Sequence, residues 1–309
     1  MKTQKKEKPT GAKSRYIIDL YKRRSVIALV SGLLIFFITF ANVSYQLTVY
    51  TQDKIFPLEY FTGISNIMSA ICALFIIPYA VEGIRMKLLS PPAWLMQFQL
   101  CCMVSISIVC VATLTIIVPT TGVNSISKTG FWLHLINPML TLFLFFSIES
   151  TRLAGKKNYI ISLIPFFAYS IVYGIMVLGI GSESGGWNDF YQVAEHMPPV
   201  FSALIIYSIG ILIAFVILAI RNRLSRGFEK RLSRQWDPEL SPIELKIEVF
   251  GLGRYVGAHS DKALPRVPIE IFEMIASRYE VTVKELTNAY VKGMMDSLSD
   301  RGREIKKRK

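Results

Sequence analysis

The sequence predicts an all-α protein: a six-transmembrane-helix bundle with both termini in the cytoplasm, followed by a small C-terminal helical domain. Three observations predict it. The 309 residues are 52% hydrophobic, the apolar residues gather into six long runs, and Lys and Arg alternate from one side of those runs to the other.

The runs lie near 25–50, 56–81, 93–119, 131–149, 159–180 and 198–220. At about 1.5 Å per residue each is long enough for roughly 30 Å of hydrocarbon. In lipid each must be helical, because no water is present to satisfy backbone N–H and C=O groups. Pro57, Pro138 and Pro198 fall in the first half of their runs, where a missing N–H costs least. The first run follows Lys22, Arg23 and Arg24. It is much longer than a signal-peptide core of about 7–15 residues and shows no obvious cleavage site, so it is expected to be a retained anchor.

Charge orients the runs. Residues 1–24 hold nine Lys/Arg against two acids, and residues 221–235 hold six against one. Arg85 and Lys87 mark the second connection, and Arg152, Lys156 and Lys157 the fourth. The first and third carry only Lys54 and Lys128. The fifth has no Lys or Arg but has Glu183, Asp189 and Glu195. This alternation follows the positive-inside rule and puts the chain in a plasma (inner) membrane with both termini cytoplasmic.

The net charge of +13 and pI near 9.6 are compatible with a nucleic-acid binder, but the excess sits beside the spans, where it meets anionic lipid. Residues 236–309 are nearly balanced, with thirteen Lys/Arg against twelve Asp/Glu. Cys72, Cys101, Cys102 and Cys110 all fall inside the runs without metal-ligand spacing, so they read as small apolar residues. No P-loop, HExxH or acidic metal cluster occurs, and neither a metal nor another cofactor is expected.

Four parts result: a basic arm (1–24), the membrane domain (25–222), a basic neck (223–235) and a soluble tail (236–309) opening at Trp236-Asp237-Pro238. The Gly/Ser-rich stretch from Gly181 to Trp187 reads as a flexible outer loop able to cover a site that opens outward. In the tail, Ser241-Pro-Ile-Glu244 and Thr282-Val-Lys-Glu285 are capping boxes. Ile271, Phe272, Ile275 and Tyr279 form one helical stripe, and Val283, Leu286, Tyr290 and Met294 a second. Residues 243–249 also alternate apolar and charged, as a strand would; the cap favours helix. Three helices over some 60 residues make a thin core, so the tail is expected to dock on the neck or on a second copy, the latter making a homo-oligomer. Residues 268–286 resemble the second half of repressor-type helix-turn-helix domains. Without a basic surface, a protein partner is expected there rather than DNA.

The chemistry-bearing residues are Thr62 and His134. Ionisable or reactive groups inside a span are functional candidates, because burying them in lipid is costly. Thr62 lies roughly 8 Å into the second run and His134 roughly 6 Å into the fourth, both from the outer face. Ser65 and Asn66 share a helical face with Thr62, and Asn137 lies one turn from His134. A threonine hydroxyl becomes a nucleophile when a base takes its proton, and neutral histidine is the usual base. Asn66 or Asn137 then serves to orient the imidazole or to bind an oxyanion. Against this, Ser, Thr and Asn in spans often bond to their own backbone or hold helices together. Glu59 sits at the aqueous boundary, and Glu149 is about 22 Å along the helix from His134, so neither is placed as a third member.

Phe61-Thr62-Gly63-Ile64-Ser65-Asn66 followed by His134-Leu-Ile-Asn-Pro138 resembles the pattern of the androgen-induced-protein-like membrane family and its bacterial six-span relatives, F-T-x-x-S/T-N then H-x-x-x-P. Animal members are threonine hydrolases that cleave fatty acid esters of hydroxy fatty acids (FAHFA). The resemblance covers roughly residues 25–220 and excludes the tail. It implies Thr62 as nucleophile, His134 as base and a lipid ester as substrate. Leu144 stands where relatives often carry an acid, and their aromatic-proline outer motif is only partly matched at Gly186–Tyr191.

Three functions therefore compete. The first is an intramembrane hydrolase of lipid esters. The second is a non-enzymatic sensor or adaptor whose tail binds a protein partner. The third, a transporter, ranks last because the midplane is almost uncharged.

Overall fold

The computed structural model describes residues 11–49, 57–84, 91–122, 128–148, 154–189, 198–235, 241–259, 272–273, 275–276 and 279–307. The Trp236–Pro238 break, the basic residues Lys54, Arg85, Lys87 and Arg152, the acids Glu149 and Glu195, and Ile271 of the first tail stripe lie outside them.

Among the described residues the chain is helical and contains no strand. The long rods are α1 (Gly11–Val49), α2 (Phe61–Ile84), α3 (Ala93–Ala112), α4 (Asn137–Ser147), α5 (Lys156–Gly174) and α6 (Pro199–Gln235). Among the described residues five stretches are long and apolar enough to cross a membrane: Lys22–Val49, Phe61–Ile84, Ala93–Thr115, Lys156–Ile180 and Ala203–Gly227. Trp132–Ser147 is a shorter apolar helix. Two expected boundaries move. The second half of the basic arm belongs to α1 without a break, and the basic neck is the uninterrupted end of α6. Neither junction contains a Pro or a paired helix breaker, so nothing stops the helix where the sequence turns from apolar to charged.

The centre of the bundle is α3, which packs against α2, α4, α5 and α6. Of its apolar window 61% is buried, against 22% for α6 and 28% for α5, so the last two rods present most of their apolar side chains outward. Small residues draw α1 and α2 together: Gly32 sits over Ala73, and Gly83 over Ser25. Without a hydrophobic driving force between helices in lipid, such close approach is what gives them dispersion contact. Polar side chains join the other rods away from the candidate site. Asn158 Nδ2 donates to Gln97 Oε1 at 2.6 Å, linking α5 to α3. Asn222 on α6 exchanges two hydrogen bonds with the Ala154 backbone at the foot of α5. The guanidinium of Arg221 lies 5.6 Å from the Phe145 ring centre. Cys72, Cys101 and Cys102 are buried free thiols.

The tail contains α7 (Pro242–His259) and α8 (Val283–Lys307), with helical residues between them at 272–273 and 275–276. Both capping boxes form reciprocally. Ser241 N donates to Glu244 Oε2 at 2.8 Å while Glu244 N donates to Ser241 Oγ at 3.3 Å. Thr282 and Glu285 repeat the exchange at 2.9 and 3.2 Å. Residues 243–249 are helical, as the first cap predicts. The Lys246 ammonium, 2.6 Å from Glu285 Oε1, holds that carboxyl down to about 2, with the Thr282 cap assisting. The two stripes meet in one core, where Phe272, Ile275, Leu286, Tyr290 and Met294 join Leu245, Val249, Leu252 and Val256 of α7. α7 also lies against α1.

The Tyr290 hydroxyl is buried in that core and has no hydrogen-bond partner among the described residues. An unsatisfied buried hydroxyl costs about 1–3 kcal/mol. Tyr290→Phe keeps the ring packed on Phe272 and removes that cost. The variant is expected to unfold at equal or higher denaturant concentration than wild type, read by protease resistance of the tail in the full chain. A lower midpoint would show that the hydroxyl is satisfied.

Candidate functional site

The polar residues singled out in the sequence converge at the end of the bundle where α2 begins. Asn66 reaches across to α4's approach: its Nδ2 donates to the Thr62 carbonyl at 2.8 Å and to the Leu133 carbonyl at 3.2 Å. Asn137 Nδ2 donates to Asn66 Oδ1 at 2.7 Å and to Thr39 Oγ1 of α1 at 2.9 Å. Ser65 Oγ donates to the Thr62 carbonyl at 3.1 Å. Thr39, Ser65, Asn66 and Asn137 are all buried. Three rods are thus tied at one level through two amide side chains.

This accounting corrects one expectation. A side-chain amide has two N–H donors, and both Asn66 and Asn137 have spent theirs on protein acceptors. Neither has a donor left for an oxyanion, and among the described residues neither is hydrogen-bonded to the imidazole. Their work is to position α1, α2 and the segment bearing His134.

His134 itself sits in a π-helical turn, Trp132–Ile136, that leads into α4; the Asn137 N–H reaches back five residues to the Trp132 carbonyl. A matching π-turn, Thr113–Ile117, continues α3, closed by Val118 N–H on the Thr113 carbonyl. Each π-turn is followed after one residue by a proline, Pro138 or Pro119. Proline lacks the N–H for the i−4 carbonyl and its ring crowds that carbonyl. Widening the preceding turn relieves the conflict, and such turns often occur at functional sites.

The two widened turns face each other. The His134 Nδ1 and Thr113 Oγ1 atoms are 2.9 Å apart. Thr113 is only 1% exposed. The threonine hydroxyl in contact with the imidazole is therefore that of Thr113, which the sequence reading had not singled out. The usable signal was a polar residue within two turns before a proline: Thr113 precedes Pro119 by six residues and His134 precedes Pro138 by four. Thr62 occupies the first turn of α2, half-buried, and its hydroxyl makes no hydrogen bond among the described residues. Its backbone is held within one residue of His134 through Asn66.

An aromatic wall stands beside Thr62. Phe61 packs on Tyr169 and Phe166 with ring centres 5.1 and 5.8 Å apart. The Tyr169 hydroxyl donates to the Glu59 carbonyl at 2.7 Å, pinning the turn that enters α2. Trp187 stacks on Tyr169, and the Tyr173 hydroxyl donates to Asp189 Oδ1 at 2.7 Å. The Gly181–Trp187 loop, expected to be flexible, forms a hydrogen-bonded turn. Gly186 N–H donates to the Gly181 carbonyl at 2.8 Å and Trp187 N–H to the Met176 carbonyl at 3.1 Å. Gly181 and Gly185 adopt φ of 72° and 90°, a region glycine enters without steric cost. The Gly/Ser content thus serves a tight turn that seats Trp187 on the wall.

Among the described residues, Asn137 Oδ1, Thr141 Oγ1, Ser105 Oγ and both amide atoms of Gln99 are buried without hydrogen-bond partners. Such groups normally hold ordered water. Among the described residues no group of three or more His, Cys, Asp or Glu is placed to hold a metal.

Comparison with protein-family models, with curated proteins and with solved structures finds no match for this chain.

Proposed function

We propose that the protein is a six-span integral membrane hydrolase of lipid esters, with both termini in the cytoplasm and the Thr62–His134 end of the bundle just beneath the outer surface. Lys128–Ser147, turns included, rises about 30 Å, which supports counting it as the sixth crossing beside the five longer helices. The alternating charge of the connections supports the orientation.

The observation that carries the activity is a mostly buried imidazole held by a threonine hydroxyl, one residue from the point where α2 is tied to the His134 segment. In this reading His134 Nε2 takes the proton of Thr62 Oγ as that oxygen attacks the ester carbonyl. The tetrahedral intermediate collapses, the C–O bond to the leaving alcohol breaks, and the imidazolium returns the proton to that alcohol. Water then attacks the acyl-threonine, giving a proton to His134; the acyl C–O bond to Thr62 breaks, the imidazolium returns that proton to Thr62 Oγ, and the free acid leaves. Thr62 suits the attacking role because it is half-buried and its hydroxyl makes no hydrogen bond among the described residues.

The test is covalent labelling of the full chain in detergent with an alkyl fluorophosphonate. Wild type is expected to label, while Thr62→Ala and His134→Ala fall by about 10²-fold or more. Equal labelling of all three refutes the proposal.

The tail favours a second, compatible role. Its separate core and reciprocal caps suit a docking module for a cytoplasmic protein. Capture of a stoichiometric partner by the full chain, lost on removing residues 236–309, would support the adaptor reading.

A further inference from the structure

We infer that Thr113 is the missing third member of the site, a positioning residue that accepts a hydrogen bond from His134 Nδ1–H and so leaves Nε2 as the base. This deepens the hydrolase reading and rests on it.

The sequence offered no acid for this role, and none of the described carboxylates is recorded against the imidazole. The structure offers a hydroxyl instead. Thr113 Oγ1 lies 2.9 Å from Nδ1, within ordinary hydrogen-bond range. The two ring nitrogens of neutral histidine are not equivalent: the one carrying the proton donates and only the other can act as a base. When Thr113 Oγ1 accepts from Nδ1–H, Nε2 is the nitrogen left to face the nucleophile, the placement a carboxylate imposes in serine triads. A hydroxyl can also donate, so the measured tautomer of the ring decides the direction. A neutral third member suits this depth, because a carboxylate there would have to be desolvated.

Accessibility divides the labour between the threonines. Thr113 is 1% exposed and its hydroxyl is occupied by the ring, whereas Thr62 is half-buried with a free hydroxyl. The paired π-turns carry the contact. Thr113 opens one turn and His134 is the middle residue of the other, so the contact joins two segments whose bonds run five residues back instead of four. The constellation thus draws Thr62, Thr113 and His134 from three successive rods.

Fluorophosphonate labelling and ¹⁵N spectra of the full chain test this. Mass spectrometry is expected to place the label on the peptide containing Thr62. Thr113→Val is expected to slow labelling about 10- to 100-fold, and Thr113→Ser, which keeps the acceptor, to stay within about threefold of wild type. ¹⁵N spectra of histidine-labelled protein are expected to show His134 as the Nδ1–H tautomer in wild type and Thr113→Ser, and as a mixture in Thr113→Val. A label on Thr113 itself overturns the assignment and makes that residue the nucleophile. Wild-type labelling by Thr113→Val, with Thr62→Ala silent, removes Thr113 while the hydrolase stands. Undiminished labelling of Thr62→Ala and His134→Ala removes the hydrolase and Thr113's role with it. Should Thr113→Val fail to fold, an Nε2–H tautomer in wild type is enough to overturn the inference.

Discussion

Alanine at Gly253 or Gly293 is expected to unfold the C-terminal helices while leaving the membrane rods intact. A Cβ on Gly253 would overlap the Tyr290 carbonyl oxygen, and one on Gly293 the Phe250 carbonyl oxygen. At Gly257 the Met294 carbonyl oxygen would lie 2.7 Å away. In each case the obstacle is backbone, which cannot rotate aside as a flexible side chain does. α7 and α8 are in backbone contact through these three positions, so relief requires the helices to separate. Overpacking of this kind costs about 1–3 kcal/mol and occasionally more, while a core this small rarely supplies more than about 3–5 kcal/mol. Gly→Ala in an exposed helix would instead stabilise by about 1 kcal/mol, so the sign separates the two views. Hydrogen exchange on the full chain in detergent reads it directly. Protection at residues 245–256 and 286–294 is expected to collapse while that of α3 persists. Retained protection in both variants would mean that the helices sit farther apart than described.

Those glycines also show what the sequence disclosed and what it withheld. The caps and stripes of the tail were legible because they are local: a Ser or Thr three residues before a Glu, and apolar residues at helical spacing, need no knowledge of the partner element. Glycine spacing in α7 is equally visible but ambiguous, since Gly within a helix is either a weakness or a contact, and only the placement of Tyr290 decides. The uninterrupted passage of α1 and α6 out of the apolar segment was missed because charge composition changes at Arg24 and Arg221 whereas backbone propensity does not. The loop from Gly181 to Trp187 was misjudged for a related reason. Glycine at φ of 72° and 90° builds a fixed turn, and composition alone does not distinguish that from slack.

At the candidate site, position along each rod was legible and facing was not. Depth from the start of an apolar run placed Thr62 and His134 at one level, and helical spacing put Asn66 and Asn137 near them. Which hydroxyl meets the imidazole depends on rotation about each helix axis, and the π-turns alter that rotation by an amount no regular period predicts. Hence Thr113 went unnoticed although it lies within one span. Thr39 was invisible for another reason. A single threonine in an apolar run ordinarily bonds to its own backbone, and only the arrival of Asn137 from a distant segment gives it a partner.

Asn137→Asp is the change expected to damage the membrane bundle most for the smallest alteration in shape. The amide nitrogen that donates to Asn66 Oδ1 and Thr39 Oγ1 becomes an oxygen with nothing to donate. Lone pairs then oppose the Asn66 oxygen directly, and no cation is recorded against Asn137 to pair with a carboxylate at a position that is fully buried. Uncompensated buried charge costs about 3–5 kcal/mol even after relaxation. If the aspartate takes up a proton instead, it regains one donor where two are needed. Thr39→Val tests the same hub from the other side, stranding one N–H at about 1–3 kcal/mol. Thermal unfolding in detergent should rank wild type above Thr39→Val and Thr39→Val above Asn137→Asp, with the last lowered on the order of 10 °C. Because Asn66 couples this hub to the Leu133 carbonyl, labelling at Thr62 should fall with it even below the melting temperature. An Asn137→Asp protein with unchanged melting and labelling would show that the three rods are held by apolar packing alone, and that the polar hub has no part in placing His134.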